Sequence, residues 1–224
     1  MKKTLLILTA VTMAVASSQA QGFVTFGSST QNVSTNNTLA VLGATATGKT
    51  LGAGSFYYAL FYSTSLTTIN GSGAAVAGIG ATNLFGSGFT FSGDYASSTS
   101  TAGRWTSLNP NGDGTSTVSG LAGGASAQFV ILGWSSTLGT TISALQTSLS
   151  TPGTAGFIGQ SVISGSLQAG DGALVTPATI SSSGAPGIQG FTLGSFAIAP
   201  TPEPATLALA GLSGASLLLF RRRK

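Results

Sequence analysis

Residues 56–62 have the sequence FYYALFY, and residues 127–134 have the sequence AQFVILGW. Both stretches are rich in aromatic and β-branched residues, which fit the pleated, half-buried surface of a β-sheet. The first is bounded by Gly54 and by a Ser/Thr-rich stretch that begins at Ser63, as is typical of a strand. We therefore predict that these two stretches form the central strands of the fold.

Shorter segments with strand patterns surround these two stretches. Further strands are predicted at residues 22–26, 39–42, 88–91, 104–108, 116–119, 157–163 and 190–198. Turn-forming residues separate these segments, above all glycine, asparagine and proline. Residues 141–150 differ, because their apolar positions recur at helical spacing and predict a short helix. Many short strands with glycine-rich turns favour an all-β fold, a sandwich or a barrel, and we expect an antiparallel β-sandwich over residues 21–198.

The first 20 residues have the three parts of a secretory signal peptide. Lys2 and Lys3 precede an apolar run over residues 5–16, and small residues occupy the −3 and −1 positions before the cleavage site. We predict a signal helix that signal peptidase removes by cutting between Ala20 and Gln21. An uncleaved anchor is the alternative, but the apolar run is too short to span a bilayer comfortably.

The last 24 residues form three blocks. Pro202, Glu203 and Pro204 close a short linker over 199–204, an apolar run follows over 205–220, and the chain ends in a basic stretch, Arg221-Arg222-Arg223-Lys224. As a helix the apolar run would be roughly 24 Å long, at ~1.5 Å per residue. Snorkelling arginines and local thinning can fit that length to a bilayer core of ~30 Å. We predict a transmembrane helix over 205–220 and a cytoplasmic basic stop over 221–224.

These terminal blocks resemble the PEP-CTERM sorting signal of exported bacterial proteins. The resemblance implies that an exosortase, a membrane-embedded transpeptidase, removes the tail near Glu203. It also implies that Pro202, Glu203 and Pro204 are the residues that this enzyme reads. The preceding domain would then be delivered to the cell surface or the extracellular matrix of a bacterium that makes exopolysaccharide. Within the domain, the order of the Gly-Phe-Val strand, the Tyr-rich strand and the strand ending in Trp134 is loosely similar to other PEP-CTERM proteins.

Most of the charge lies at the two ends of the chain. The net charge of +4 comes from eight basic and four acidic residues, and six of the basic ones lie in the signal and the tail. The domain between keeps Lys49 and Arg104 against Asp94, Asp113 and Asp171, a net charge of −1. Nucleic-acid binding needs a basic surface, which this domain lacks. Charged residues make up 5% of the chain, against about 25% in ordinary domains, so we expect a neutral, hydroxyl-rich surface.

Residues 43–50, with the sequence GATATGKT, match the phosphate-binding P-loop pattern in full. A true P-loop is followed by a helix whose N-terminus holds the phosphates. Residues 51–55, LGAGS, contain two glycines, and each costs about 1 kcal/mol in a helix relative to alanine. We therefore favour a hairpin loop over a nucleotide site.

Residues 109–114, with the sequence NPNGDG, are similar to the start of a calcium-binding loop. The twelfth position of that loop would be Gly120, where a calcium site needs a bidentate glutamate. Asparagine, proline and glycine at this spacing are typical of a tight turn. We favour the turn, and we expect neither a metal nor a cofactor.

Catalysis has few candidate residues. The chain contains no histidine and no cysteine, which removes the usual triads, thiolate nucleophiles and zinc sites. Asp94 and Asp171 are a conceivable glycosidase pair, which requires carboxyls about 5–9.5 Å apart. Both adjoin glycine, which is more typical of turns, and we expect that the protein is not an enzyme.

Trp105 and Trp134 are candidates for stacking on sugars, because an indole combines an apolar body with a polar tip. Alternate residues of a strand are more often core, however. The sequence therefore predicts an exported surface or matrix protein with a structural or adhesive role in exopolysaccharide. A carbohydrate-binding module is the first alternative, and both tryptophans exposed on one face would favour it. A secreted glycoside-active enzyme is the second, and two carboxyls converging in a cleft would favour that.

Overall fold

The computed structural model describes residues 21–28, 32–36 and 47–200. Within these ranges the chain forms thirteen β-strands, two 3₁₀ helices and one α-helix. The strands are β1 (Gln21–Thr25), β2 (Asn32–Asn36), β3 (Thr47–Lys49), β4 (Phe56–Ser63), β5 (Val76–Ala77), β6 (Thr90–Ser98), β7 (Trp105–Ser107), β8 (Ser116–Ala122), β9 (Ser126–Ser135), β10 (Ala155–Gln160), β11 (Leu167–Gln168), β12 (Ala178–Thr179) and β13 (Gly190–Ala197). The 3₁₀ helices are Ile79–Leu84 and Ser136–Leu138, and the α-helix, α1, is Ile142–Leu149. The predicted all-β class is confirmed.

The strands form one large sheet and one small sheet. The large sheet has the order β3-β2-β13-β10-β9-β4-β6-β7, with β5 added at β10 and β11 at β9. The small sheet has the order β12-β1-β8. Most pairs are antiparallel, as expected. Two are parallel, β1 with β12 and β2 with β13.

The large sheet curls until its two edges are joined by hydrogen bonds. The Val33 N–H on β2 donates to the Gly103 carbonyl over 2.9 Å, and the Gly103 N–H donates to the Thr50 carbonyl over 2.7 Å. Gly103 lies in the connection between β6 and β7, at the opposite edge of the sheet. These bonds satisfy backbone groups that an open edge would leave exposed.

The central strands β4 and β9 are buried on both faces, which explains their nearly continuous apolar sequences. Tyr58 and Leu60 of β4 belong to a first core that also contains Val24 and Val118 of the small sheet. Phe61 of β4 belongs to a second core on the other face, which the helices cover. The arrangement is sandwich-like on one face of the large sheet and helix-covered on the other.

Most predicted elements are present with shifted ends. The predictions for 22–26, 56–62, 127–134 and 190–198 correspond to β1, β4, β9 and β13, and the helix predicted at 141–150 is α1. The strand predicted at 88–91 begins at Thr90, after Gly88 with its positive φ of 91°, and it continues through Ser98. The strand predicted at 157–163 ends at Gln160. The strand predicted at 39–42 lies outside the described residues.

The membrane-related predictions concern the two ends of the chain. No helix within residues 21–28, 32–36 and 47–200 has the length and hydropathy needed to span a bilayer. The predicted signal helix over 1–20, the transmembrane helix over 205–220 and the basic stop over 221–224 lie outside the described residues.

Candidate functional site

Hydrogen bonds hold the chain to the domain beyond the end of β13, as far as Ile198. The Ile198 N–H donates to the Thr154 carbonyl over 2.8 Å, and the Gly153 N–H donates to the Ile198 carbonyl over 3.0 Å. Glu203, the predicted cleavage residue, follows Ile198 by five residues in the sequence. Pro202, Glu203, Pro204 and the basic residues Arg221, Arg222, Arg223 and Lys224 themselves lie outside the described residues.

The predicted signal-cleavage site spans the start of the described chain. Ala20 lies outside the described residues. Gln21 is the first residue of β1 and pairs with Ala122 of β8. The residue predicted to begin the mature protein is thus already part of the small sheet.

The two tryptophans are buried, and in different cores. Trp105 is 1% exposed and its ring centroid lies 5.4 Å from that of Tyr58 in the first core. Trp134 is 0% exposed, lies in the second core, and its Nε1–H donates to the Gly139 carbonyl over 2.7 Å. Neither indole is more than 1% exposed, and this burial favours the core alternative over stacking on sugars. They are the inward-facing residues of their strands.

The P-loop match does not have the required geometry in its described part. Its last residues, Thr47–Lys49, form β3, which pairs antiparallel with β2 and places Lys49 opposite Ser34. A P-loop lysine would instead open a helix. Residues 51–55 form turns, with a positive φ at Gly52 and at Gly54. The antiparallel pairing is that of a hairpin, but residues 47–49 lie in one of its strands and not in the loop predicted over 43–50.

The calcium-loop match forms a tight turn. Asp113 Oδ1 accepts hydrogen bonds from the Thr115 N–H over 3.0 Å and from the Thr115 hydroxyl over 2.7 Å. These bonds, the hydroxyl bond first, lower the pKa of Asp113 below its ordinary value. Within the described ranges, no three residues of the His, Cys, Asp and Glu types come together as a metal site would require.

Asp94 and Asp171 lie in different settings. Asp94 is 5% exposed on β6, and the Ser107 hydroxyl donates to its Oδ2 over 2.9 Å. Asp171 lies in a surface loop, where its Oδ1 accepts from three successive backbone N–H groups at 2.8–2.9 Å, those of residues 173–175. These bonds lower the pKa of Asp171, and the bond from the Val175 N–H contributes most to the shift. Each carboxylate thus has a structural hydrogen-bonding role.

A cleft of about 580 Å³ lies on the outer face of the small sheet. Its lining includes Phe23 of β1, which is partly exposed between two buried residues, Gly22 and Val24. One wall is the turn with Asn111 and Asp113, and the other is the loop over residues 172–177. The second wall carries Leu174, which is 93% exposed.

The sequence did not indicate that Phe23 and Leu174 line a surface cleft. The alternation in β1 showed that Phe23 and Val24 lie on opposite faces, but not which face is covered. Leu174 has a local signal, because it is a large apolar residue two positions after the turn-forming sequence Gly170-Asp171-Gly172.

A second groove of about 540 Å³ lies where β1 and β12 meet β7. Hydroxyl groups line much of it, and Arg104 lies at its border. Its lining includes Thr25, Thr99, Thr101, Thr106, Ser107 and Thr179. The two clefts therefore differ in charge: the groove contains a cation, whereas the cleft at Phe23 contains a carboxylate.

Comparison with known proteins identifies the tail. Residues 200–224 match the family model of the PEP-CTERM protein-sorting motif, which confirms the resemblance. The motif implies an exported, envelope-associated protein that is processed by an exosortase. Neither the curated proteins nor the solved structures contain a match to this chain.

Proposed function

We propose that this chain is a non-catalytic protein of the cell surface or extracellular matrix, with a structural or adhesive role in exopolysaccharide. The PEP-CTERM motif over residues 200–224 is the observation that carries the proposal, because it marks a protein for export and exosortase processing. In this proposal Pro202, Glu203 and Pro204 are read by the exosortase. Residues 205–220 hold the precursor in the membrane until the tail is removed.

The composition of the domain supports the matrix role. Two cations and three carboxylates leave a net charge of −1 between the signal and the tail. A surface of hydroxyl and amide groups can exchange hydrogen bonds with the many hydroxyls of a glycan without repelling it. Such a surface suits a hydrated polysaccharide matrix better than a polyanionic partner.

The settings of the two candidate catalytic carboxylates support a non-catalytic role. Asp94 is buried and accepts from Ser107, and Asp171 accepts from three backbone N–H groups. A glycosidase needs one carboxyl as a proton donor and a second as a nucleophile or base across the same bond. Among the described residues, neither Asp94 nor Asp171 lines the cleft at Phe23.

The sorting step is tested with Glu203→Ala in the producing cells. We expect the variant to stay at full precursor length in the membrane fraction, whereas the wild-type domain loses its tail. Thr201→Ala, in the same linker, is the matched control and should be processed like the wild type. Normal processing of Glu203→Ala would overturn the role given to this residue.

The matrix role is tested by fractionating the same cells. We expect the processed protein to co-sediment with isolated exopolysaccharide and to be released when the polysaccharide is digested. A processed protein found entirely in the culture medium, free of polysaccharide, would overturn the matrix role while leaving the sorting step intact.

A further inference from the structure

We infer that the cleft between residues 111–115 and 172–177 is a binding site for a neutral glycan, with the Phe23 ring as the surface on which one sugar stacks. This inference rests on the proposed matrix role and specifies the surface that would contact the polysaccharide.

Two backbone hydrogen bonds fix the position of Phe23 in the sheet, and its ring lies on the outer face. Its N–H donates to the Gly170 carbonyl over 3.0 Å and its carbonyl accepts from the Gly170 N–H over 2.8 Å. The ring lies on the outer face of the sheet, across from Thr117 of β8. Gly172 passes close to one edge, where a Cβ would lie 3.5 Å from Phe23 Cε2. A half-buried ring that is fixed at its base offers a face for the C–H groups of a sugar.

The polar wall offers oriented hydrogen-bond acceptors beside the ring. Asn111 Nδ2 donates to the hydroxyl oxygens of Thr115 and Thr117 at 3.0 and 3.3 Å, which fixes the amide and leaves its carbonyl oxygen for a ligand. Asp113 uses Oδ1 for Thr115, and its Oδ2 makes no hydrogen bond to the described part of the chain. Sugar hydroxyls are donors that match two such acceptors.

The opposite wall presents an apolar side chain on a braced loop. Leu174 is 93% exposed, yet its backbone N–H and those of its two neighbours are bound to Asp171 Oδ1. The base of the loop is tightly packed, because a Cβ on Gly170 would lie 2.6 Å from Pro177 Cγ. The loop therefore holds Leu174 at the border of the cleft, where it can cover a ligand that rests on Phe23.

The charge of the cleft selects the class of glycan. The carboxylate of Asp113, which lines the cleft, has a lowered pKa and is ionised at neutral pH. Among the described residues, no lysine or arginine lines the cleft. A uronic acid would be repelled there, whereas a neutral hexose or pentose would not. The volume of about 580 Å³ falls within the ~300–1,000 Å³ that is usual for small-ligand sites, which suits a short stretch of a glycan chain.

The experiment measures binding of defined hexasaccharides to the full chain in a detergent without a sugar head group. The neutral probes are cellohexaose, maltohexaose, mannohexaose and xylohexaose, and the acidic probe is hexagalacturonate, each titrated by calorimetry. We expect saturable binding of at least one neutral probe. Phe23→Leu keeps apolar volume but removes the ring, and it should weaken that binding by about tenfold.

Two further variants change exposed leucines, so a loss of binding in them would not come from a folding defect. Leu174→Ser changes a side chain without packing partners and should weaken the same binding several-fold. Leu51→Ser is the matched control, because Leu51 is 66% exposed and does not line the cleft, and it should leave binding unchanged. The inference is overturned if no neutral probe binds saturably, if hexagalacturonate binds as tightly, or if Phe23→Leu and Leu174→Ser bind like the wild type.

The outcome for the cleft is separable from that for the matrix role. Co-sedimentation with exopolysaccharide that persists in Phe23→Leu and Leu174→Ser would overturn the cleft and leave the matrix role standing. Binding of a neutral hexasaccharide at Phe23, with no matrix association in cells, would support the cleft and overturn the matrix role.

Discussion

Tyr58 of β4 packs directly against the backbone of Gly133 of β9, and a Cβ placed on Gly133 would lie 2.9 Å from Tyr58 Cδ1. The same Cβ would lie 2.9 Å from Leu193 Cδ2 of β13. Tyr58 and Leu193 therefore fill the space that a side chain at position 133 would need. This explains a glycine in the middle of a strand whose other residues are apolar and bulky.

Gly133→Ala is expected to lower the free energy of unfolding by about 1–3 kcal/mol, because Tyr58 and Leu193 would have to shift in a packed core. Chemical denaturation of the purified protein measures this change. Gly48→Ala is the matched control, since Gly48 also lies in a strand but has no atoms near its would-be Cβ. Equal stability of the two variants would contradict the packing described here.

Tyr58 also predicts a loss of stability at high pH. Burial raises the pKa of its hydroxyl from 10.0 to about 12, and a hydrogen bond with the Thr50 hydroxyl opposes this only in part. A raised pKa in the folded state contributes stability below pH 10.0, and this contribution is lost as the pH rises towards 12. We expect urea midpoints to fall over this interval, and to fall less in Tyr58→Phe. Parallel curves for the two proteins would count against the burial of this hydroxyl.

The loop at Asp171 predicts a loss of stability in acid. Its three backbone hydrogen bonds lower the pKa from the ordinary value of 3.8, so the ionised form stabilises the fold. That stability is present above pH 3.8 and is lost as the pH falls through the lower folded-state pKa. Asp171→Asn keeps an oxygen acceptor but cannot ionise, so its stability should depend less on pH between 5 and 2. An unchanged acid dependence, measured by urea unfolding, would refute the role of this carboxylate.

The N-cap hydrogen bond of Thr141 is expected to stabilise helix α1. The Thr141 hydroxyl oxygen accepts from the Ala144 N–H over 3.2 Å, and Leu145 in the next turn is fully buried in the second core. Thr141→Ala should reduce the free energy of unfolding by about 0.5–2 kcal/mol, as loss of an N-cap usually does. Ser143→Ala, two residues into the same exposed turn, is the control and should change stability little. If both variants have the same effect, the cap does not stabilise the helix.

Local sequence was enough to predict the central strands and the helix. In β4 and β9 the residue types themselves favour a strand, and in α1 the spacing of Ile142, Leu145 and Leu149 favours a helix. The tail was also predictable, since its sequence motif is read as a linear signal. These features depend on neighbouring residues only.

Features that depend on distant parts of the chain were not predictable. Strand β2 has the sequence NVSTN and forms because it pairs in parallel with β13, where Val33 lies opposite Phe191. Which face of β1 becomes the outside depends on how the small sheet packs against the large one. For the same reason Trp105 was a candidate ligand-binding residue from sequence, and its burial became evident only from the packed structure.

The central claim is that this protein is exported and cut at both ends before it reaches the cell surface. Intact-mass spectrometry of the protein recovered from the surface of producing cells tests it most directly. The account predicts a chain that begins at Gln21 and ends close to Glu203, without the apolar run or the basic stop. A surface protein whose mass includes residues 205–224 would contradict it.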